Sequence, residues 1–283
     1  IQVKVAPNQE TVILFENRTR VRAYHLEAQT CTPLSAEQIG ADWQEREASI
    51  RTMALSETAL WVVWLALEFY PPVSQEKREG RQLAEYIAAY RATKSNLLLH
   101  LTSEESDGFV PLWEGEPLRS DACFSTINGF ASILPFSRLM EENSTAPWEI
   151  TTYTLTPQTT AYPRLLLRSA TNAWIRETFR QYQELVGMRM VASLAHNINL
   201  NTQSQQWNIR LENNGLVDHH IFLKAETCIL AYLAVLRSTA KQIENMIGSL
   251  LAQRILTNNF AELSENQRQV LQDSDLTPAR ILA

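Results

Sequence analysis

Two stretches in the C-terminal half fix most of what this chain can become. Ile175, Phe179, Tyr182, Val186, Met190 and Leu194 recur every three or four residues, and so do Ile229, Leu233, Leu236, Ala240, Ile243, Ile247 and Leu250. That period lines one side of an α-helix with apolar side chains, so each stretch must bury a long stripe against something else. The spacing predicts two long helices separated at Asn213-Asn214-Gly215. A shorter one opens at the capping-box pattern Ser264-x-x-Gln267, and Thr277-Pro278 opens a terminal turn. Residues 227–236 have no polar face, which predicts the least exposed part of the C-terminal block.

The N-terminal half reads differently. Val3 and Val5, Val12 and Leu14, and Val21 and Ala23 alternate, with breaks at Pro7-Asn8 and Glu16-Asn17, which predicts two or three strands. Thr32-Pro33 and Ser35-x-x-Gln38 then mark a helix start, for a stretch to about residue 53. Residues 59–69, with Trp61 and Trp64, are apolar on every side and end at Pro71-Pro72, as a buried helix does. Ser74 caps a further helix to about residue 93, and Asp121 caps one reaching Leu134. Residues 148–156 alternate like a single strand. The expected fold class is mainly α, a multi-helix globular domain with a small N-terminal β-hairpin or meander. Its parts are a β element over 1–31, a first helical block over 32–102, a long loop over 103–120 rich in Ser, Asp, Gly, Pro and Glu, and a second helical block over 121–283 that forms one compact unit with the first. No internal repeat stands out.

Composition narrows the chemistry. The 283 residues are 45% hydrophobic and 20% charged with a net charge of -6, which places the chain among soluble globular proteins. Eight glycines and no G-x-G-x-x-G or P-loop pattern argue against phosphate-cradling folds. Cys31, Cys123 and Cys228 are odd in number and far apart, as free thiols of a reducing compartment are. The apolar run 59–69 is far short of the ~20 residues that a bilayer core demands, so no membrane contact is expected. The chain starts at Ile1 without a visible signal, and the expected location is virion or cytoplasm. The sequons at Asn17 and Asn143 have no secretory context.

No set of titratable groups points to a reaction. There is no C-x-x-C, H-E-x-x-H or E-x-x-H, so no metal, no cofactor and no catalytic residue is assigned. Asp218-His219-His220, with Cys228 downstream, is the nearest approach to a ligand set. Adjacent histidines at a helix start point about 100° apart, which makes a capping aspartate with exposed imidazoles the plainer reading. Cys123, close to an expected helix N-terminus, would have its thiol pKa lowered by the dipole. An enzyme would have to assemble its site from distant residues around Cys123 or His219.

Arginine outnumbers lysine about four to one, since the lysines are only Lys4, Lys77, Lys94, Lys224 and Lys241. Guanidinium is the cation that tolerates interfaces and grips phosphate. Arg18, Arg20 and Arg22 alternate, with Tyr24 next, so a strand would project all four from one face that a nucleic-acid backbone fits. Arg176 and Arg180, one helical turn apart, form a second candidate, with Arg168 upstream and Glu177 and Glu184 beside them. Trp113, in the polar loop 110–115, and Trp207, in a Gln-rich run, are the candidate interface aromatics; docking onto the parent fold is the alternative for Trp113.

Long helices, scattered Arg and Trp, and no grouped titratable residues describe a protein whose work is contact. The expectation is a self-assembling structural protein, a helical viral capsid or shell subunit, whose partner is itself, with nucleic acid as a further partner through the Arg-rich faces. The alternatives are a single-strand RNA-binding nucleoprotein and a monomeric helical adaptor. The acidic balance favours a shell over a tight single-strand coat, which tends to be basic.

Overall fold

The computed structural model describes residues 2–6, 9–16, 19–27, 30–35, 38, 49–51, 57–104, 106–118, 122–126, 129–131, 147–156, 161–212, 215–218, 220, 222 and 224–283. The chain divides into two compact units, Ile1–Tyr162 and Pro163–Ala283. Helix is the predominant state in a mixed α/β chain, and strands extend much further than a terminal meander.

In the first unit, β1 (Gln2–Ala6), β2 (Gln9–Glu16), β3 (Thr19–Glu27), β4 (Thr30–Pro33) and β5 (Ser49–Arg51) form an antiparallel sheet in the order β4-β3-β2-β1-β5. The alternating residues of 1–31 are therefore strands, as expected. Thr32 and Pro33 belong to β4 rather than to a helix start. The Ser35–Gln38 capping box does form, with Ser35 N–H donating to Gln38 Oε1 (2.8 Å) and Gln38 N–H to Ser35 Oγ (3.3 Å). The helix expected after it lies mostly outside the described residues. Helix α1 (Glu57–Glu68) stops before Pro71-Pro72, with Trp61, Trp64 and Leu65 buried.

The second sheet of this unit corrects three expectations. Its strands are β6 (Ser74–Glu79), β7 (Leu97–Thr102), β8 (Ser106–Trp113), β9 (Glu116–Pro117), β10 (Cys123–Thr126), β11 (Gly129–Ala131) and β12 (Pro147–Thr154), in the order β11-β10-β8-β7-β12-β6 with β9 on β8. Residues 103–120 are not a long loop. Apolar Phe109, Val110, Leu112 and Trp113 give β8 enough to bury, and Pro111, which has no N–H to donate, uses its carbonyl to accept from Leu118 N–H at 2.9 Å. The helix expected after Asp121 is replaced by β10 and β11 over its described residues, so the dipole argument for Cys123 falls. Ser74 starts an edge strand whose sequence, Ser-Gln-Glu-Lys-Arg-Glu, has no apolar residue to reveal it; charge on an edge guards against further pairing. Helix α2 (Gly80–Thr93) begins only after it, and the Glu79 side chain joins Gln82 in a capping box. The strand expected over 148–156 is β12. Leu83, Leu99, Val110, Phe124, Trp148 and Ile150 share the core under α2.

The second unit holds α3 (Ala161–Val186) from Pro163 onward, then α4 (Met188–Ser204), the hairpin β13 (Ile209–Glu212) and β14 (Gly215–Asp218), α5 (Ala225–Ile247), α6 (Ser249–Glu262), α7 (Glu265–Asp273) and α8 (Pro278–Leu282). Ser264 caps α7 in a capping box with Gln267, and Thr277-Pro278 opens α8, both as expected. The separator expected at Asn213-Asn214-Gly215 lies between two paired antiparallel strands, with Asn213 and Asn214 outside the described residues and Gly215 opening β14. Residues 227–236 are not uniformly buried, because Leu230 is 60% exposed.

Each of the two apolar stripes is broken once. Gly187 (φ 82°, ψ 164°) ends α3, and Gly248 (φ 86°, ψ 156°) ends α5, both in a region of backbone space that only glycine occupies readily. Each glycine N–H donates to the carbonyl four residues earlier at 2.8 Å. The agreement continues outward at the same spacing of 61 positions. Arg176, Thr178, Gln181 and Asn197 correspond to Arg237, Thr239, Gln242 and Asn258. Ile175, Tyr182, Val191 and Leu194 are buried, and so are Leu236, Ile243, Ala252 and Ile255. The second unit thus contains two pairs of helices, each separated by a single glycine.

Candidate functional site

The most concentrated chemistry lies inside the second unit. Asp218, at the end of β14, is buried; its Oδ1 accepts from His220 N–H (2.8 Å) and its Oδ2 from the Tyr232 hydroxyl, while its main-chain carbonyl accepts from Arg168 (3.1 Å). Burial raises the Asp218 pKa, against the lowering pull of Arg168 and of the Tyr232 hydrogen bond. Burial also pushes the Cys228 thiol up to about 12 and raises the Tyr232 phenol well above its ordinary value. A thiol in that state is no nucleophile at neutral pH. Asp218 is therefore not an exposed helix cap; it ties the hairpin to α3 and α5. Asn172 and Asn199 do related work: Asn172 Oδ1 accepts from Leu216 N–H, and Asn199 both accepts from Leu211 N–H and donates to its carbonyl. The Asn172 amide oxygen also lies 2.7 Å from where a Cβ at Gly215 would stand, so glycine is what lets the turn sit this close.

At the surface of the same unit, apolar side chains gather around the helix breaks. Among the described residues nine large hydrophobics are exposed, and eight of them, all but Val73, belong to the second unit. Leu185 and Met188 flank Gly187; Met246, Leu250 and Leu251 flank Gly248. An open groove of about 280 Å³ between α3 and α6 is lined by Arg180, Gln181, Glu184, Leu185, Leu251 and Arg254, so Leu185 and Leu251 share it. Leu250, expected on a buried stripe, is 81% exposed, because the break at Gly248 turns its helix away from the line of α5.

The residues singled out in the sequence are not brought together. Arg18 lies outside the described residues; Arg20 and Arg22 lie on β3, their side chains outside the description. Tyr24 is buried and accepts from Trp64 Nε1–H (2.7 Å), so it offers no face on which a base could stack. Arg176 is exposed on α3. Arg180 is exposed too, but Glu177 and Glu184 both bind its guanidinium and raise its pKa. Arg168 is buried beside Asp218 instead of joining them. Trp113 is buried, because the Glu114-Gly115 turn after it presses onto the end of α2: a Cβ at Gly115 would stand 2.3 Å from Arg91 Cα. That removes Trp113 from the interface candidates. Trp207 is half-buried, and its main-chain N–H donates to the Thr202 carbonyl at 3.1 Å.

Among the described residues no three His, Cys, Asp or Glu side chains are placed to hold a metal ion, and no helix is long and apolar enough to cross a membrane. Cys31 and Cys228 are free thiols. The chain matches no protein-family model, and neither a curated protein nor a solved structure matches it. The exposed apolar residues at the helix breaks had one signal in the sequence, a glycine inside each long apolar stripe.

Proposed function

We propose that this chain is a self-associating structural subunit whose second unit carries the contact surface, and that its assembly is a closed shell of the capsid type. The observation that carries the reading is the clustering of exposed Leu185, Met188, Met246, Leu250 and Leu251 at the two helix breaks. Contiguous exposed apolar residues with a polar rim mark interaction surfaces, whereas scattered ones need no explanation. The chain's preference for arginine over lysine supports the same reading, since lysine is depleted from interfaces. The acidic net charge of -6 favours a shell over a coat wound on a single strand. The reading predicts particles by negative-stain electron microscopy of the purified full chain, with light scattering reporting their mass over a salt series. Oligomers that never close into particles would overturn the shell, and a monomer in every salt condition would overturn self-association itself.

A further inference from the structure

We propose that the buried carboxyl group of Asp218 is a proton-operated latch, which docks the β13–β14 hairpin onto α3 and α5 and loosens it as the pH rises. The hairpin is held differently on its two sides. Toward α4 its polar contacts are neutral: Thr202 Oγ1 donates to the Ile209 carbonyl (2.8 Å), and the Asn199 amide exchanges two hydrogen bonds with Leu211 (2.6 and 2.9 Å). Toward α5 the contact is the Tyr232 hydroxyl on Asp218 Oδ2, which a proton can alter. Toward α3 the Asp218 carbonyl accepts from Arg168, and Leu216 N–H donates to Asn172 Oδ1. The latch acts within one chain and does not depend on assembly.

The surroundings of the carboxyl set the direction. From α3, Arg168 faces it, and Arg164 one turn earlier faces Cys228. From α5, Tyr232 touches it, with Cys228 one turn before. On β13 its partner is the apolar Ile209. From its own segment comes His220, and His219 lies outside the described residues. Arg168 and the two donors favour the carboxylate, whereas removal from water favours the neutral acid. Asp218, Tyr232 and Cys228 are all buried, and burial is the larger influence, so the pKa is raised. In an opened hairpin Asp218 meets water and titrates in the ordinary range. The docked form therefore keeps its proton to higher pH, and docking weakens as pH climbs from the ordinary carboxylate range through the raised value. Tyr232 and Cys228 keep their protons throughout, since burial raises both. His220 works in the opposite direction: its Nδ1 accepts from Asn208 N–H (3.4 Å), a contact that only the neutral ring makes and that higher pH favours.

The test is hydrogen exchange of the full chain from pH 4 to pH 8, with rates corrected for the intrinsic pH dependence of amide exchange. Protection of peptides covering residues 209–218 should fall at least ~10-fold over that range, the change that a pKa higher by one corresponds to. Peptides of β7 and β12 in the first unit should stay constant. Asp218→Asn, which keeps an acceptor for Tyr232 and cannot ionise, should abolish the fall, and His220→Asn should retain it. The wild-type profile tests the latch without any variant, because hairpin protection that is constant or increases with pH would overturn it. A fall that persists in Asp218→Asn, or one that disappears in His220→Asn, would equally overturn it by giving the proton to another group.

Discussion

The first unit draws its aromatic residues inward, and the second leaves large aliphatic ones in water. Tyr24 takes the Trp64 indole N–H, and Trp113 is sealed where the Glu114-Gly115 turn meets α2. In the second unit, Trp174 is buried, its indole N–H on the Leu256 carbonyl (3.1 Å), yet Leu185, Met188, Met246 and Leu250 stay exposed a few turns away. A strand buries alternate residues wherever a neighbour covers its face, whereas a helical stripe is buried only while the helix keeps its direction. At Leu250 the glycine two residues earlier thus turns a residue of the apolar stripe into surface.

Removing the inner part of that contrast should have the largest effect. Trp174→Ala is expected to cost about 3–5 kcal/mol, the range for emptying a large core site, read as a lowered urea midpoint by circular dichroism. Leu233→Ala, on the buried side of α5, should cost roughly 2–5 kcal/mol. A cost near zero at either site would mean that the second unit is packed otherwise.

Gly187→Ala and Gly248→Ala compare the two breaks. Each places a side chain in a glycine-only backbone conformation without a clash, so each should cost about 1–3 kcal/mol, and the two costs should agree. Markedly unequal costs would show that the two breaks are alike in backbone angle only.

A smaller effect follows from Asp218. Its raised pKa means that the folded chain holds this proton to higher pH than the unfolded chain does. Its contribution to stability is thus greatest below the ordinary carboxylate range and is lost as pH rises through the raised value. Asp218→Asn keeps an acceptor for Tyr232 and removes the charge. The stability of the variant relative to wild type should therefore increase from about pH 4 to about pH 8, measured by urea unfolding. A flat difference would mean that Arg168 offsets the burial in full. The smallest effect belongs to the exposed surface: Leu250→Ser should change monomer stability by no more than about 0.5 kcal/mol, as surface substitutions do.

How much of this is legible depends on where each signal lives. The strands of residues 2–27 and 147–154, the capping boxes at Ser35 and Ser264, and the helices around Trp64, Phe179 and Leu236 all follow from local periodicity and end chemistry. β6 and β8 do not. β6 has no apolar alternation at all, and β8 carries Gly108 and Pro111, so only pairing with their neighbours makes strands of them. The hairpin at 209–218 has its cue in Asn-Asn-Gly between Leu211 and Leu216, which the helical stripes on either side outweigh. Tyr24 and Trp113 escape a reading of the sequence because side-chain spacing says which face a residue shares, and what covers that face comes from residues distant in the chain. The breaks at Gly187 and Gly248 are visible as residues but not as turns, since an isolated glycine is tolerated within a helix.

Hydrogen exchange reads the difference between the two units peptide by peptide. The first amides of α4 and α6, after Gly187 and Gly248, include groups with no partner within their own helices, which exchange readily in a monomer and slow down when a surface is covered. Full-length protein followed from dilute to concentrated solution should show slower exchange in peptides spanning residues 185–191 and 246–252, with peptides of β7, β8 and β12 unchanged. Exchange that is independent of concentration at the helix breaks, in a sample shown to associate, would contradict the assignment of the contact to the second unit.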